Sequence, residues 1–203
     1  MAAAEAAGYD VRMNEHAATI RQSIKRSASV IGSLADQVDE IEAVCDAVIA
    51  ALKAGGKVMT AGHGGSAAEA MHMAEELTGR FDRDRKPLPA IALPADPTLL
   101  TCITNDFGFV EVFPRQVEAH GRKGDVLVVF STSGHGEGLV KAVDIARQDG
   151  ITTVALLGKT GGDVRDRADL EIIVPDDETA RIQEAHQVIM HLILECVDEA
   201  FVA

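Results

Sequence analysis

Short apolar runs alternate with helical patterns along this chain, from about residue 55 onward. Polar and apolar residues do not alternate within these runs, so each run would form a strand that is buried on both faces. They are Val58–Ala61, Ala90–Leu93, Val126–Phe130, Thr153–Leu157 and Glu171–Val174. Strands of this kind are typical of a parallel sheet with helices on each side. The pattern therefore predicts an α/β fold, in which a doubly wound five-stranded parallel sheet is sandwiched by helices. Helical stretches connect successive strands.

The part of the chain before the sheet is helical in pattern. From about Asn14 to Leu52, apolar residues such as Ile20, Ile24 and Ile41 recur at the spacing of one helix face. This segment is expected to form two helices ahead of the sheet, and each has a second apolar side that must be buried. They either pack against another subunit or cover the sheet, and the pattern fits both.

Length and composition indicate one domain. The 203 residues, 47% hydrophobic and 25% charged, suit a single globular domain with a full core. We expect residues 1–54 to form N-terminal helices used in packing or oligomerisation, and residues 55–203 to form the α/β core.

A glycine turn after the first predicted strand indicates an anion site. Gly62 to Gly65 follow Val58–Ala61, and Ser66 opens an alanine-rich helical segment. Glycines permit a close approach of the main chain to a ligand, and the start of a helix offers unpaired N–H groups. A phosphate is the anion that best fits this arrangement.

The same helix carries a candidate chemical pair. His72 and Glu76 stand four residues apart and so share a face, either as a proton-transfer or metal pair or as an ordinary surface pair. The spacing of Gly62, Gly64 and Ala67 also fits a dinucleotide fingerprint, with Asp96 as the ribose-binding acid. Both alternatives stay open at this point.

A second loop follows the strand Val126–Phe130. It reads Ser131-Thr132-Ser133-Gly134-His135-Gly136, so hydroxyl and N–H donors could surround a phosphate without a basic side chain. Alternatively, the serines cap the predicted helix Glu137–Gln148. Because strand ends meet at one edge of a parallel sheet, this loop and the Gly62 loop are expected at the same rim.

Two further segments carry polar residues of interest. The predicted final helix, Thr179–Phe201, holds Gln183, His186, Gln187 and His191 beside an apolar stripe, as functional groups or as satisfied core positions. Asp106, in the segment Asn105–Gly108, is expected in a turn, either near the rim or simply as a turn or cap residue.

Charge and composition exclude several classes of function. The formal net charge of −13 opposes general binding to nucleic acid or to an anionic membrane surface. Aromatic residues make up 3% of the chain and Trp is absent, which argues against a stacking platform for bases. The three cysteines are widely separated and fit neither a disulfide framework nor a thiolate zinc site. With no signal-peptide pattern and no membrane-length apolar run, we expect a cytoplasmic protein.

Five separated motifs along the chain carry a specific resemblance. They are Gly64–Ser66, Met71–Phe81, Asn105–Phe109, Ser131–Gly134 and Arg181–His186, with His191 beyond. Through them the chain resembles the phosphoheptose isomerases, the sedoheptulose 7-phosphate isomerases of the sugar-isomerase (SIS) domain group. The similarity runs from about residue 45 to the C-terminus, with the N-terminal helices also in place.

The resemblance implies a flavodoxin-like SIS fold and an aldose–ketose isomerase. Its sugar-phosphate substrate would be sedoheptulose 7-phosphate, converted to D-glycero-D-manno-heptose 7-phosphate through an enediol without a nucleotide cofactor. The product would be a precursor for lipopolysaccharide, capsule or other heptosides. A homotetramer with active sites at subunit interfaces is also implied.

The resemblance further implies a role for each matching residue. Ser66, Ser131, Thr132 and Ser133 would hold the phosphate, and Asp106 and Gln183 would touch sugar hydroxyls. Glu76 would be the base that moves a proton between C1 and C2, with His191 as the opposing acid/base. In zinc-bearing members the metal ligands match His72, Glu76, Gln183 and His191, an N/O set that suits Zn²⁺. Whether Glu76 acts first as base or as ligand stays open.

The chain departs from the family pattern at two places. His63 stands where the family usually has Asn, and His135-Gly136 stands where it has Asn-Ser. We expect the two histidines to help bind the phosphate or a changed sugar. An isomerase of another sugar phosphate is therefore one alternative. A second is the non-catalytic relative that binds the bacterial replication initiator as a tetramer, but that group lacks the helix glutamate and the final histidine that this chain has.

Overall fold

The computed structural model describes the backbone of residues 2–202 and the side chains of residues 16–202. Within these residues, five strands form one parallel sheet in the order β2-β1-β3-β4-β5. They are β1 (Val58–Gly62), β2 (Ala90–Ala92), β3 (Val126–Ser131), β4 (Thr152–Gly158) and β5 (Leu170–Val174). The predicted doubly wound parallel sheet is confirmed, and every strand boundary lies within one residue of its prediction.

Seven α-helices accompany the sheet in the described part of the chain. They are α1 (Ala2–Ser33), α2 (Val38–Lys53), α3 (Gly65–Thr78), α4 (Pro97–Phe107), α5 (Val112–His120), α6 (Glu137–Gln148) and α7 (Thr179–Phe201). Short 3-10 turns, Leu34–Gln37 and Phe109–Glu111, precede α2 and α5. None of the helices, over the described residues, combines the length and apolar character needed to cross a membrane.

The two faces of the sheet carry separate hydrophobic cores. Helices α2, α3 and α7, with the end of α1, cover one face, and α4, α5 and α6 cover the other. Successive residues of a strand point to opposite faces, so Val58 joins the first core and Met59 the second. Because both faces of the sheet are buried, polar and apolar residues do not alternate along the strands.

The connection between β4 and β5 differs from its prediction. Residues 159–169 form turns instead of the expected helical stretch. Lys159, Gly161, Gly162 and Asp166 adopt positive φ angles, which interrupt a right-handed helix. This loop extends from the rim that carries the candidate site.

The strand order changes direction beside β1. The chain passes from β1 to β2 on one side of it and then to β3 on the other. At the carboxyl ends, Gly62 of β1 is the register partner of Phe130 of β3. The loops that follow these two strands therefore start side by side, at the place where open α/β sheets bind their ligands.

Candidate active site

The loop after β1 brings the main chain close to β3. A Cβ atom at Gly62 would lie 2.5 Å from the Ser66 carbonyl oxygen and 3.1 Å from that of Phe130. Gly64 has a φ of +59°, which favours glycine. Ser66 is 4% exposed and lies in the first turn of α3. The helix start and its serine thus provide donors for an anion at the rim.

The loop after β3 is held by its own hydroxyls. Ser131 Oγ accepts the Gly134 N–H at 3.0 Å, and Ser133 Oγ accepts the His135 N–H at 3.2 Å. Helix α6 begins after Gly136 without a side-chain cap, so the serines do not cap α6 as the alternative interpretation supposed. A hydroxyl that accepts one hydrogen bond can still donate its proton, and Thr132 between them is half-buried.

This second loop also rests on the loop after β4. Gly134 has a φ of +67°, and a Cβ atom there would stand 1.8 Å from the Gly161 carbonyl oxygen. Val164 donates its N–H to the Gly134 carbonyl at 3.0 Å. The close backbone contact leaves no room for a side chain and holds the hydroxyl-rich turn in place.

Helices α3 and α7 form a polar seam beside the two loops. His72 Nε2 lies 3.1 Å from Glu76 Oε1, as their spacing predicted. The amide nitrogen of Gln187 lies 2.7 Å from His72 Nδ1 and 3.0 Å from His191 Nε2. The structure therefore brings His72 and Glu76 next to His191, which is more than 100 residues away in the chain.

The environment of His191 favours its neutral form. Its ring lies 5.5 Å from that of Phe81 and 5.5 Å from that of His72 between ring centroids. Burial, and then repulsion from His72, lower the pKa of His191, while Glu76 and Glu195 partly oppose the shift. A neutral imidazole can accept a proton near neutral pH.

Other predicted residues lie elsewhere around the site. The amide of Gln183 packs against Gly65, where an added Cβ would stand 2.2 Å from Gln183 Nε2. The structure thus places Gln183 at the first loop, and Gln187 between the two imidazoles. Asp106 is exposed in the last turn of α4, so the expected turn is a helix end. Its carboxylate accepts local hydrogen bonds, from Cys102 Sγ and Asn105 Nδ2.

The two unusual histidines have different surroundings. The ring of His63 packs against Phe109 and Phe113, with centroids 5.2 and 4.9 Å away. Loss of hydration on burial lowers the pKa of His63. His135 is exposed, and its Nδ1 lies 2.8 Å from Asp163 Oδ2. His63 therefore lies between the two loops, whereas His135 joins the outer parts of the loops after β3 and β4.

Part of the seam fits a metal ion in type and spacing. Two ligands of one tetrahedral zinc ion, each bound at about 2 Å, lie about 3.3 Å apart, close to the observed 3.1 Å between His72 Nε2 and Glu76 Oε1. The exposed Glu75 adds a carboxylate within 4.8 Å of both. His191 is adjacent, but Gln183 lies at the other end of the seam.

Two contacts at the site escaped the sequence-based prediction. The sequence predicts Gln187 only as a polar position of the final helix, although its four-residue spacing from His191 places both on one face of α7. The packing of Phe109 and Phe113 on His63 joins the loop after β1 to α5 and the turn before it, and it has no local signal. Only the spacing of Gln187 could have been read from the chain.

Comparison with known proteins identifies the family of this chain. A family model described as the SIS domain matches residues 22–158. A phosphoheptose isomerase of Citrifermentans bemidjiense is 45% identical over 185 residues, covering 90% of this chain and 96% of the relative. One from Nitratiruptor is 50% identical over 153 residues, covering 75% and 82%.

Solved structures give the same assignment. A phosphoheptose isomerase from Francisella tularensis superposes with a TM-score of 0.84 at 33% identity, covering 92% of this chain and 98% of that one. One from Neisseria gonorrhoeae gives 0.81 at 37% identity, with the same coverage. The fold and the matching family model together define a sugar-isomerase domain. Within that class, the chain belongs to the phosphoheptose isomerase family, whose members are sugar isomerase enzymes.

Proposed function

We propose that this protein is an aldose–ketose isomerase that converts sedoheptulose 7-phosphate to D-glycero-D-manno-heptose 7-phosphate. The observation that carries the proposal is the polar seam, in which Glu76 and His191 lie on facing helices beside two donor-rich loops. The names of the relatives support the substrate. The reaction needs a base and an acid at a bound sugar phosphate, and no hydride acceptor.

The phosphate would be held by hydroxyl and main-chain donors. Ser66 opens α3, and Ser131, Thr132 and Ser133 form the turn after β3. Such donors bind a phosphate without a basic side chain. His63 lies beside this region and would add a donor, whereas His135 would first have to leave Asp163. Asp106 and Gln183 would contact sugar hydroxyls.

Proton transfer would use the seam itself. Glu76 would remove the proton from the carbon beside the carbonyl and return it to the neighbouring carbon, so that an enediol lies between ketose and aldose. His191, held neutral, would exchange the proton of the facing oxygen. A bound Zn²⁺, held by His72 and Glu76 with His191 and Gln183 as further candidate ligands, would polarise the substrate oxygens.

We also propose that the protein acts as a homotetramer with sites at subunit interfaces. Ile20, Ile24 and Val38 are 58%, 63% and 56% exposed on α1 and α2. A groove of about 560 Å³ between these helices and α7 is lined largely by apolar side chains. Burial of such surface against other subunits would be favourable.

The direct test is conversion of sedoheptulose 7-phosphate by the purified protein, with and without a chelator. Glu76→Gln should lower kcat about 10³-fold, within the range for loss of a general base. Glu118→Gln, an exposed residue of α5, is the matched control and should leave kcat unchanged. Activity lost on chelation and restored by Zn²⁺ would show that the metal takes part, and activity unaffected by chelation would contradict the zinc proposal.

One observation favours a different sugar phosphate as the second candidate. His63, His135 and Gly136 change the surroundings of the phosphate loops. If the metal-loaded protein does not convert sedoheptulose 7-phosphate, turnover in a panel of other sugar phosphates would support this candidate. Unchanged substrate affinity in a His63→Asn, His135→Asn double variant would show that the histidines do not bind substrate. Tight binding of a replication initiator without any turnover would support the non-catalytic alternative.

A further inference from the structure

A buried ion pair lies next to the seam and includes none of the residues assigned to substrate or metal. The side chain of Arg85, in the connection between α3 and β2, is 0% exposed, and that of Asp198, on α7, is 3% exposed. Arg85 Nε donates to Asp198 Oδ1 at 2.7 Å. The pair joins the connection to α7 about two turns beyond His191.

Arg85 also binds the end of the helix that carries Glu76. Its Nη1 donates to the Leu77 carbonyl at 2.9 Å, and its Nη2 donates to the Glu76 carbonyl at 3.0 Å. The last carbonyls of a helix have no partner within the helix. The Leu77 carbonyl also accepts the Leu88 N–H at 3.0 Å, whereas outside its helix the Glu76 carbonyl accepts from Arg85. The planar guanidinium can bond both carbonyls and a carboxylate, and a lysine ammonium lacks this fork geometry.

Asp198 also holds the backbone next to Phe81. Its Oδ2 accepts the N–H groups of Asp82 at 3.0 Å and Arg83 at 2.9 Å. Phe81 immediately precedes them, and its ring packs against His191 with centroids 5.5 Å apart. Although burial opposes ionisation, the Arg83 N–H and the Arg85 guanidinium outweigh it and hold the pKa of Asp198 below its usual value.

We propose that Arg85 and Asp198 are positioning residues that set Glu76 and His191 relative to each other. The Asp198 carboxylate on α7 anchors Arg85, and Arg85 in turn holds the backbone of Glu76. The same carboxylate fixes the backbone after Phe81, whose ring packs on His191. This inference rests on the proposed isomerase function, because Glu76 and His191 are its acid and base. A displacement of reacting groups by about 1 Å can lower the rate about 10²-fold.

The chain offers a matched control in a second, largely buried ion pair, which precedes β1 and β3. Lys57, before β1, pairs with Asp125, which is 3% exposed and also accepts the Lys57 and Arg122 N–H groups at 2.9 and 2.8 Å. This pair likewise joins separate segments, but its hydrogen bonds involve no residue of α3 or α7. Lys57→Met should therefore lower stability without changing kcat.

The experiment compares Arg85→Lys with Lys57→Met in the full-length protein. Arg85→Lys keeps the charge beside Asp198 but cannot reproduce the fork to both carbonyls. We expect kcat to fall about 10- to 100-fold and KM to change less than about threefold. Ring ¹⁵N–¹H NMR signals of His72 and His191 should shift in Arg85→Lys and stay in place in Lys57→Met.

Asp198→Asn is the second variant, because it keeps the shape of the side chain and removes its charge. The same two readouts apply if Arg85→Lys does not fold. Wild-type kcat together with unshifted histidine signals in the folded variants would overturn the proposal and leave the pair a purely stabilising role. If the wild-type protein has no isomerase activity, the proposed function fails, and the histidine signals still decide whether the pair positions the seam.

Discussion

At the scale of single residues, His63 and Gly136 are linked in space. A Cβ atom at Gly136 would lie 3.7 Å from His63 Cε1, and Gly136 has a φ of +138°. The His63 ring thus fills the space beside residue 136, with Phe109 and Phe113 around it. Of the departures that the resemblance implies, His63 and Gly136 therefore form one local change, in which an imidazole occupies space next to a residue without a side chain, whereas His135 lies apart beside Asp163.

The His63→Asn substitution tests the state of this imidazole. Burial lowers the pKa of His63 in the folded protein, below the value of about 6.5 expected when unfolded. Its contribution to stability is therefore complete above about pH 6.5 and is lost as pH falls through the folded-state pKa. In urea unfolding, the stability of wild type should fall more than that of His63→Asn between about pH 7.5 and pH 5.

The control for this measurement is His120→Asn, an exposed residue at the end of α5. It should follow the wild-type dependence on pH. If wild type and His63→Asn lose stability in parallel, His63 has no lowered pKa, and its ring is better hydrated than the structure indicates.

At the scale of elements, the start of α4 shows how a residue can fit two interpretations. Asp96 stands where a dinucleotide fold would place its ribose-binding acid. In the structure its carboxylate accepts the N–H groups of Thr98 at 2.8 Å and Leu99 at 3.1 Å, and Pro97 follows at the first helical position. These are the features of a helix N-cap. The cap explains Asp96 without a nucleotide.

Asp96→Ala should therefore lower the free energy of unfolding by about 1 kcal/mol, the usual cost of losing an N-cap. Asp96→Ser should restore most of it, because a serine hydroxyl caps in the same way. Chemical denaturation measures both, with Asp46→Ala, exposed on α2, as the control. Equal stability of Asp96→Ala and wild type would contradict the capping role.

At the scale of the whole molecule, the helices that precede the sheet present apolar residues outward. Their inward residues, such as Val30, Ile41 and Val44, belong to the core that α7 shares. Ile20, Ile24 and Val38 face the other way and are more than half exposed. The sequence pattern fitted either coverage of the sheet or packing against another subunit. The two roles are compatible, because one side of these helices covers the sheet and the other side remains for association.

Ile24→Glu tests the proposed association. A charge at this position would lose its hydration in a subunit interface, so the variant should dissociate to smaller species. Sedimentation velocity over a range of concentrations measures the change, with Gln22→Glu on an exposed position of the same helix as the control. A wild-type protein that stays monomeric at all concentrations would contradict the homotetramer.

Local spacing was sufficient for much of the fold and for one part of the site. The strands were predicted because each buries both faces, which removes polar positions from a short run. His72 and Glu76 were placed together because residues four apart in a helix share a face. The turns between β4 and β5 were missed, since a parallel connection is usually helical and here glycines with positive φ prevent it.

The sequence by itself determined the class of fold, the two donor-rich loops and the pairing of His72 with Glu76, because each depends on backbone preferences and short-range periodicity. Only the tertiary structure decided that Gln187 lies between His72 and His191, that Gln183 lies at Gly65, and that Arg85 joins Asp198 to Glu76. These contacts depend on the axial offset between α3 and α7. That offset is set by the packing of many distant side chains in one core, which no local spacing specifies.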